Sequence, residues 1–129
     1  MDFELIEKAL PILLLGAGVT IEITAVSVFI GFCIGLFARI CKVKVLRILA
    51  AIYADCIRGT PLLVQIFLIY FALPIVTGHR VEPFVAAVAA CGINSGAYVS
   101  EIFRAGIQAI DVGQMEAGRS LGLSWWQTM

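Results

Sequence analysis

The chain is 129 residues long, 61% hydrophobic and 14% charged, with a mean hydropathy of +1.02, whereas charged residues make up roughly a quarter of an ordinary soluble domain. That composition excludes a soluble globular protein and marks an integral membrane one. The formal net charge is zero, and one local basic cluster is not the basic face that a DNA or RNA binder presents, so no nucleic-acid partner is expected.

The N-terminal stretch 1–8 carries Asp2, Glu4 and Glu7. It is the opposite of a basic leader, and the apolar run behind it is too long for a signal peptide, so the first hydrophobic segment is expected to stay in the mature protein. Residues 9–38 contain a single charge, Glu22. Since about 20 apolar residues cross a hydrocarbon core, this is a spanning helix with length to spare. At 100° per residue, Gly16, Thr20, Thr24, Ser27, Gly31, Gly35 and Ala38 fall on one stripe containing Gly31-x-x-x-Gly35, a seam for close helix packing. Glu22 lies on the opposite face; a carboxylate there either snorkels to the outer edge or contacts an ion or substrate.

Arg39, Lys42, Lys44 and Arg47 arrive next, within nine residues. Basic residues in short loops mark the cytoplasmic side, which puts the N-terminus outside. A cytoplasmic loop is expected over 39–58; within it, residues 48–57 are apolar enough to lie along the inner interface or to prolong the next helix. In RGTPLLVQ (58–65), Thr60 is placed to cap a helix whose first position is Pro61, where the missing N–H costs nothing. A second span over about 60–77 follows, short enough to leave a re-entrant segment open. Gln65 is the polar group within it, suited to an interhelical hydrogen bond or to a substrate.

An outer loop at 78–83 leads to a third span over about 84–104. On its wheel Ala87, Ala90, Cys91, Asn94, Tyr98 and Glu101 share one face, with Arg104 a turn beyond and Ser95 and Ser100 close by. Such a face must look at other helices or at a watery path. Glu101 and Arg104, at i and i+3, are spaced to pair, either as an inner-boundary ion pair or as part of a gate.

Asp111, Gln114, Glu116 and Arg119 put the remainder on the cytoplasmic side, and Trp125 and Trp126 suit an interface. In GQMEAGRSLGLS (113–124), Met115, Glu116, Ala117 and Gly118 are able to start a helix. Gly122 is placed to stop it, because glycine tolerates the left-handed conformation of a helix end. Such a helix is a surface connection or a docking element for a partner. The four cysteines, Cys33, Cys41, Cys56 and Cys91, lack C-x-x-C spacing, and His79 has no second ligand nearby, so no metal, haem, other cofactor or structural disulfide is expected. Phosphate-loop, G-x-S-x-G and H-E-x-x-H motifs are absent as well.

RGTPLLVQ (58–65), NSGAYVSEIFRAGIQAI (94–110) and GQMEAGRSLGLS (113–124), in that order and spacing, closely resemble the membrane permease subunits of bacterial polar amino-acid ABC importers. The likeness runs from the first helix to the last residue. It implies an all-α integral membrane fold, namely three transmembrane helices of a five-helix type I importer permease followed by a cytoplasmic coupling region at 105–129, in the bacterial inner membrane. It also implies an amino-acid uptake subunit that forms part of the translocation path and is not itself an enzyme. ATP is then hydrolysed on a separate ATP-binding cassette subunit, which docks at Gln114, Met115, Glu116, Ala117, Gly118, Leu121 and Gly122. Candidates for the path or gate are Gln65, Asn94, Ser95, Tyr98, Glu101 and Arg104. The further partners implied are a second permease, the same or homologous, a periplasmic or lipid-anchored solute-binding protein, the amino acid and the lipid bilayer.

Two departures stand out. Gly118 replaces the family's usual second alanine, at about 1 kcal/mol in a helix interior. The family also continues through an I-L-P segment and two more helices, so a truncated or fragmentary permease is expected. The alternative is a non-transporting membrane protein that docks an ATPase or a sibling permease.

Overall fold

The computed structural model describes residues 3–40 and 44–128. Of the residues singled out above, Asp2, Cys41 and Lys42 lie outside these, as do the side chains of Glu4, Arg39, Lys44 and Trp126. The described residues form α1 (Phe3–Ile40), α2 (Lys44–Arg58), α3 (Leu62–Phe67), a π-helical turn (Leu68–Ala72), α4 (Leu73–Thr77), α5 (Pro83–Gln108), α6 (Val112–Ser120) and α7 (Trp125–Thr128), with no strand among them.

An apolar segment in hydrocarbon must satisfy its own backbone, and a helix does so within itself. α1, with 38 residues, is about 57 Å long. Its stretch Ile6–Ala38 and the whole of α5 are each long and apolar enough to cross a membrane, and contain 18-residue stretches with mean hydropathies of 2.2 and 1.3 respectively. These two helices form the main packing unit.

Their contact is built from small residues. Ser27, Gly31 and Gly35 on α1 are buried. A Cβ on Gly31 would lie 2.6 Å from the Ser95 Cβ and 2.8 Å from the Gly96 nitrogen, and one on Gly35 would lie 2.7 Å from the Val99 Cγ1 and 2.8 Å from the Ser100 nitrogen. The two backbones thus approach more closely than any side chain would allow, so dispersion contacts can hold helices that lipid gives no hydrophobic reason to associate. α5 answers with Gly92-x-x-x-Gly96, against which the Cγ2 atoms of Ile30 and Ile34 sit 3.1 and 3.0 Å from the corresponding Cβ positions. The Ser27 hydroxyl donates to the Val88 carbonyl at 3.4 Å, and Phe32 meets Phe103 edge-on with centroids 5.7 Å apart.

Toward its N-terminus the same stripe of α1 is uncovered. Gly16, Thr20 and Thr24 are exposed, and the threonine hydroxyls donate back into their own helix, to Gly16 O at 2.9 Å and Thr20 O at 2.7 Å. Glu22 is exposed too.

Most of 39–58 is helical, not loop. α2 alternates Leu46, Leu49 and Tyr53 with Arg47, Asp55 and Arg58, an amphipathic pattern that stabilises a helix wherever one face meets apolar surroundings. At the break after Arg58 the chain turns by 102° before Leu62–Thr77, so 48–57 does not prolong the next helix in a straight line. Thr60 differs from its expected role. Pro61, not Thr60, occupies the N-cap position of α3, and no side chain caps that helix. The Thr60 hydroxyl instead reaches back to the carbonyls of Ile57 and Cys56, at 3.1 and 3.3 Å, closing the end of α2. The π-helical turn then carries α3 into α4, which stops at Gly78 in the left-handed region (φ 74°).

Candidate functional site

The corner between α2 and α3 organises the polar residues. The last carbonyls of a helix have no partner within it, and here the Gln65 amide supplies one. Its Nε2 donates to Ile57 O at 2.9 Å, Thr60 Oγ1 at 2.8 Å and Thr60 O at 3.2 Å. The side chain is buried, and its Oε1 accepts from Asn94 Nδ2 of α5 at 3.4 Å. Gln65 therefore makes the interhelical bond open to it, and most of its hydrogen bonding goes to the corner itself.

One turn further along α5, the guanidinium of Arg58 lies 5.6 Å from the centre of the Tyr98 ring, a cation–π distance. The same Arg58 approaches Glu101, Nη1 to Oε2, at 3.9 Å. Glu101 is also held within its own helix. Arg104 Nε donates to its Oε1 at 2.6 Å and Arg104 Nη2 reaches the same oxygen, which is the i, i+3 pair that the spacing anticipates. Arg104 Nη1 continues to Gln108 Oε1 at 3.2 Å. Glu101 is the most enclosed of the three charges, so two cations stabilise the anion where water is scarcest. A cleft of about 260 Å³ beside it is lined by Ala38, Arg47, Asp55, Ser100, Glu101 and Arg104.

The structure thus gathers Gln65, Asn94, Tyr98, Glu101 and Arg104 along the side of α5 that faces α2 and α3. Ser95 is set apart from them, because its side chain packs against Gly31 on the α1 side. Arg58 joins Tyr98 to Glu101, although periodicity within the third helix carries no sign of it. The signal available was a fixed charge directly before the Gly59-Thr60-Pro61 break. Among the described residues, no group of three His, Cys, Asp or Glu is placed to hold a metal.

The second candidate region is α6. It begins at Val112, earlier than Met115, because the Asp111 carboxylate caps it by accepting from the Gly113 N–H at 2.7 Å. It ends as the glycine predicts: Gly122 has φ 81°, its N–H reaches Arg119 O at 3.0 Å, and the Leu123 N–H reaches Gly118 O at 3.2 Å. That pair of bonds is the Schellman stop. A new turn follows at once, with both the N–H and the hydroxyl of Ser124 donating to Gln127 Oε1 at 2.9 and 2.7 Å. α7 then folds back over α6. Gly118 is buried beneath Thr128, whose Cγ2 sits 2.4 Å from where an alanine Cβ would be. Among the docking candidates Gly118 therefore faces α7, Met115 is half-buried, and Gln114, Glu116, Ala117, Leu121 and Gly122 are exposed. Among the described helices α6 packs on α7 alone.

Comparison with known proteins places this arrangement. Over its whole length the chain is 42% identical to the arginine transport system permease protein ArtQ of Bacillus subtilis, covering 60% of that protein. It is 42% identical to the glutamine transport system permease protein GlnP of Escherichia coli K12, with 99% of this chain and 60% of that one matched. A solved structure described as an amino acid ABC transporter with histidines superposes with a TM-score of 0.88 and 43% identity, covering 100% of this chain and 61% of that one. The chain thus spans about three fifths of the length of these relatives. The sequence profile described as "Binding-protein-dependent transport system inner membrane component" matches residues 31–129. The chain therefore belongs to the family of inner membrane components of binding-protein-dependent transport systems.

Proposed function

We propose that this chain is a membrane-spanning subunit of an ATP-driven importer for a polar amino acid, with α6 as the helix that docks on a separate ATP-hydrolysing subunit. The observation that carries this reading is α6 itself. It is capped at both ends, it packs only on α7 among the described helices, and it exposes Val112, Glu116 and Leu121. A polar helix that packs on none of the described apolar helices is suited to a partner outside them. In this reading Gln114, Met115, Glu116, Ala117, Leu121 and Gly122 meet the ATPase, while Gly118 supports them from behind through its contact with Thr128.

The same reading assigns Gln65, Asn94, Tyr98, Glu101 and Arg104 to the translocation path or its gate, completed by a second permease subunit. The N-terminus is then external, α6 lies on the cytoplasmic side of the bacterial inner membrane, and an external binding protein delivers the amino acid. Arginine and glutamine, named for the relatives, are the first substrates to try.

The test is co-purification of the ATPase with the membrane-inserted chain. Glu116→Lys reverses an exposed charge and leaves the helix caps intact, so ATPase recovery is expected to fall about tenfold or more while membrane insertion is unchanged. Undiminished recovery would remove the docking assignment. Uptake of labelled arginine or glutamine by vesicles holding the complete transporter tests the transport reading separately.

A further inference from the structure

We propose that Arg58 is a positioning residue that latches the bent end of α2 to Glu101 of α5 through a contact able to open and reclose, because Arg104 keeps Glu101 paired whenever Arg58 withdraws. The two oxygens of Glu101 are held unequally. Oε1 accepts from Arg104 Nε at 2.6 Å and also meets Arg104 Nη2, whereas Oε2 faces Arg58 Nη1 at 3.9 Å, beyond hydrogen-bond reach. The pair within α5 is a directed, charge-assisted bond; the pair between the helices is an attraction without one. Breaking an enclosed ion pair is costly when it leaves a bare charge behind. Withdrawal of Arg58 leaves none. Glu101 retains Arg104, and the Arg58 side chain, 38% exposed, has water on one side and the Tyr98 ring, 5.6 Å away, on another.

The place of Arg58 in the chain is what makes this contact a latch. It is the last residue of α2, and the chain bends by 102° between it and Leu62. A cleft of about 260 Å³ lies beside the pair, with Arg47 and Asp55 of α2 and Glu101 and Arg104 of α5 among the residues around it, so this end of α2 has space to shift against α5. Further back, the Tyr53 hydroxyl donates to the Ile93 carbonyl and holds the middle of α2 to the same helix. The proposal rests on the reading that Tyr98 and Glu101 belong to the path or its gate. There, a tie that opens at low cost lets the α2–α3 corner move while α5 keeps its own charges paired.

The test is amide hydrogen exchange of the full chain in bilayer nanodiscs, read over residues 54–60, where the Gly59 and Thr60 N–H groups close the end of α2 on Asp55 O and Ile57 O at 3.0 and 3.3 Å. Arg58→Gln removes the latch and is expected to speed exchange there about threefold. Arg104→Gln removes the competing cation and leaves Glu101 to Arg58, so exchange is expected to slow by about the same factor; a residue that merely supported the fold would speed it when lost. Arg58→Lys keeps the charge, and since the contact is an attraction and not a directed bond, exchange should match that of the unaltered chain. Faster or unaltered exchange in Arg104→Gln would overturn the proposal in favour of a static ion pair, as would unaltered exchange in Arg58→Gln. Should Arg58→Gln not reach the membrane, Arg104→Gln decides alone. Exchange is read on the chain without its partners, so this result is separate from the uptake measurement that tests the transport reading.

Discussion

The two halves of α1 carry the same kind of stripe and meet different fates. Toward the C-terminus Ser27 is buried and Gly31 and Gly35 are clasped by α5 at distances that exclude a Cβ, whereas toward the N-terminus Gly16, Thr20 and Thr24 are exposed and Gly16 has nothing within 4 Å. Small residues permit close approach but do not by themselves bring it about. What distinguishes the halves is the partner. α5 offers Gly92 and Gly96, into which Ile30 and Ile34 fit, and no described helix offers the like to Gly16. The N-terminal threonines need no partner either, since their hydroxyls are satisfied within α1.

Substitutions can break this contrast. Gly31→Leu would set a branched side chain against the Gly96 backbone nitrogen, 2.8 Å from the Cβ position, so the helices must part. A loss of about 3 kcal/mol is expected, read as lowered thermal stability in detergent. Gly96→Ala is milder, because the neighbours at 3.0 Å are the Ile34 methyl and the Tyr53 hydroxyl, which are ends of side chains and not backbone. About 1 kcal/mol should be lost, with faster amide exchange over α2 as the Tyr53–Ile93 bond loosens. Gly16→Ala reverses the sign. With open space around it, the substitution should be neutral or stabilising by up to ~1 kcal/mol in the isolated chain, because glycine is a poor residue for a helix interior. If the same change weakened assembly of a whole transporter, it would sharpen the comparison by putting a partner subunit on the N-terminal half.

Several local features of this fold were legible in the residues, although the amphipathic α2 and the role of Thr60 were not. The apolar runs mark α1 and α5, the i, i+3 spacing pairs Glu101 with Arg104, and Gly122 ends α6 in the left-handed region. Features that depend on two distant segments were not. Gly59-Thr60-Pro61 announces a break but contains nothing about a turn of 102°, across which Gln65 bonds the end of α2. Arg58 reads as an edge charge until Tyr98 and Glu101 of another helix are brought to it. Of the candidate site, the polar residues were visible as exceptions in an apolar run, yet the division that leaves Ser95 with α1 and Asn94 with Gln65 needed the packing of α5. Asp111 is a further exception among the local features, an N-cap signal directly before a helix that was open to reading.

The Gln65 corner has a mechanical consequence. Bonds from one amide to Ile57, to Thr60 and, through the carbonyl oxygen, to Asn94 tie both arms of a right-angled elbow to a single side chain. Through those bonds a displacement of α2 along its own length would reach α3 across the bend as a sideways push. The helix pair would then transmit force around a bend without either arm unwinding, and the π-helical turn at Leu68–Ala72, where the backbone ladder is already irregular, is where that push would meet the least stiffness.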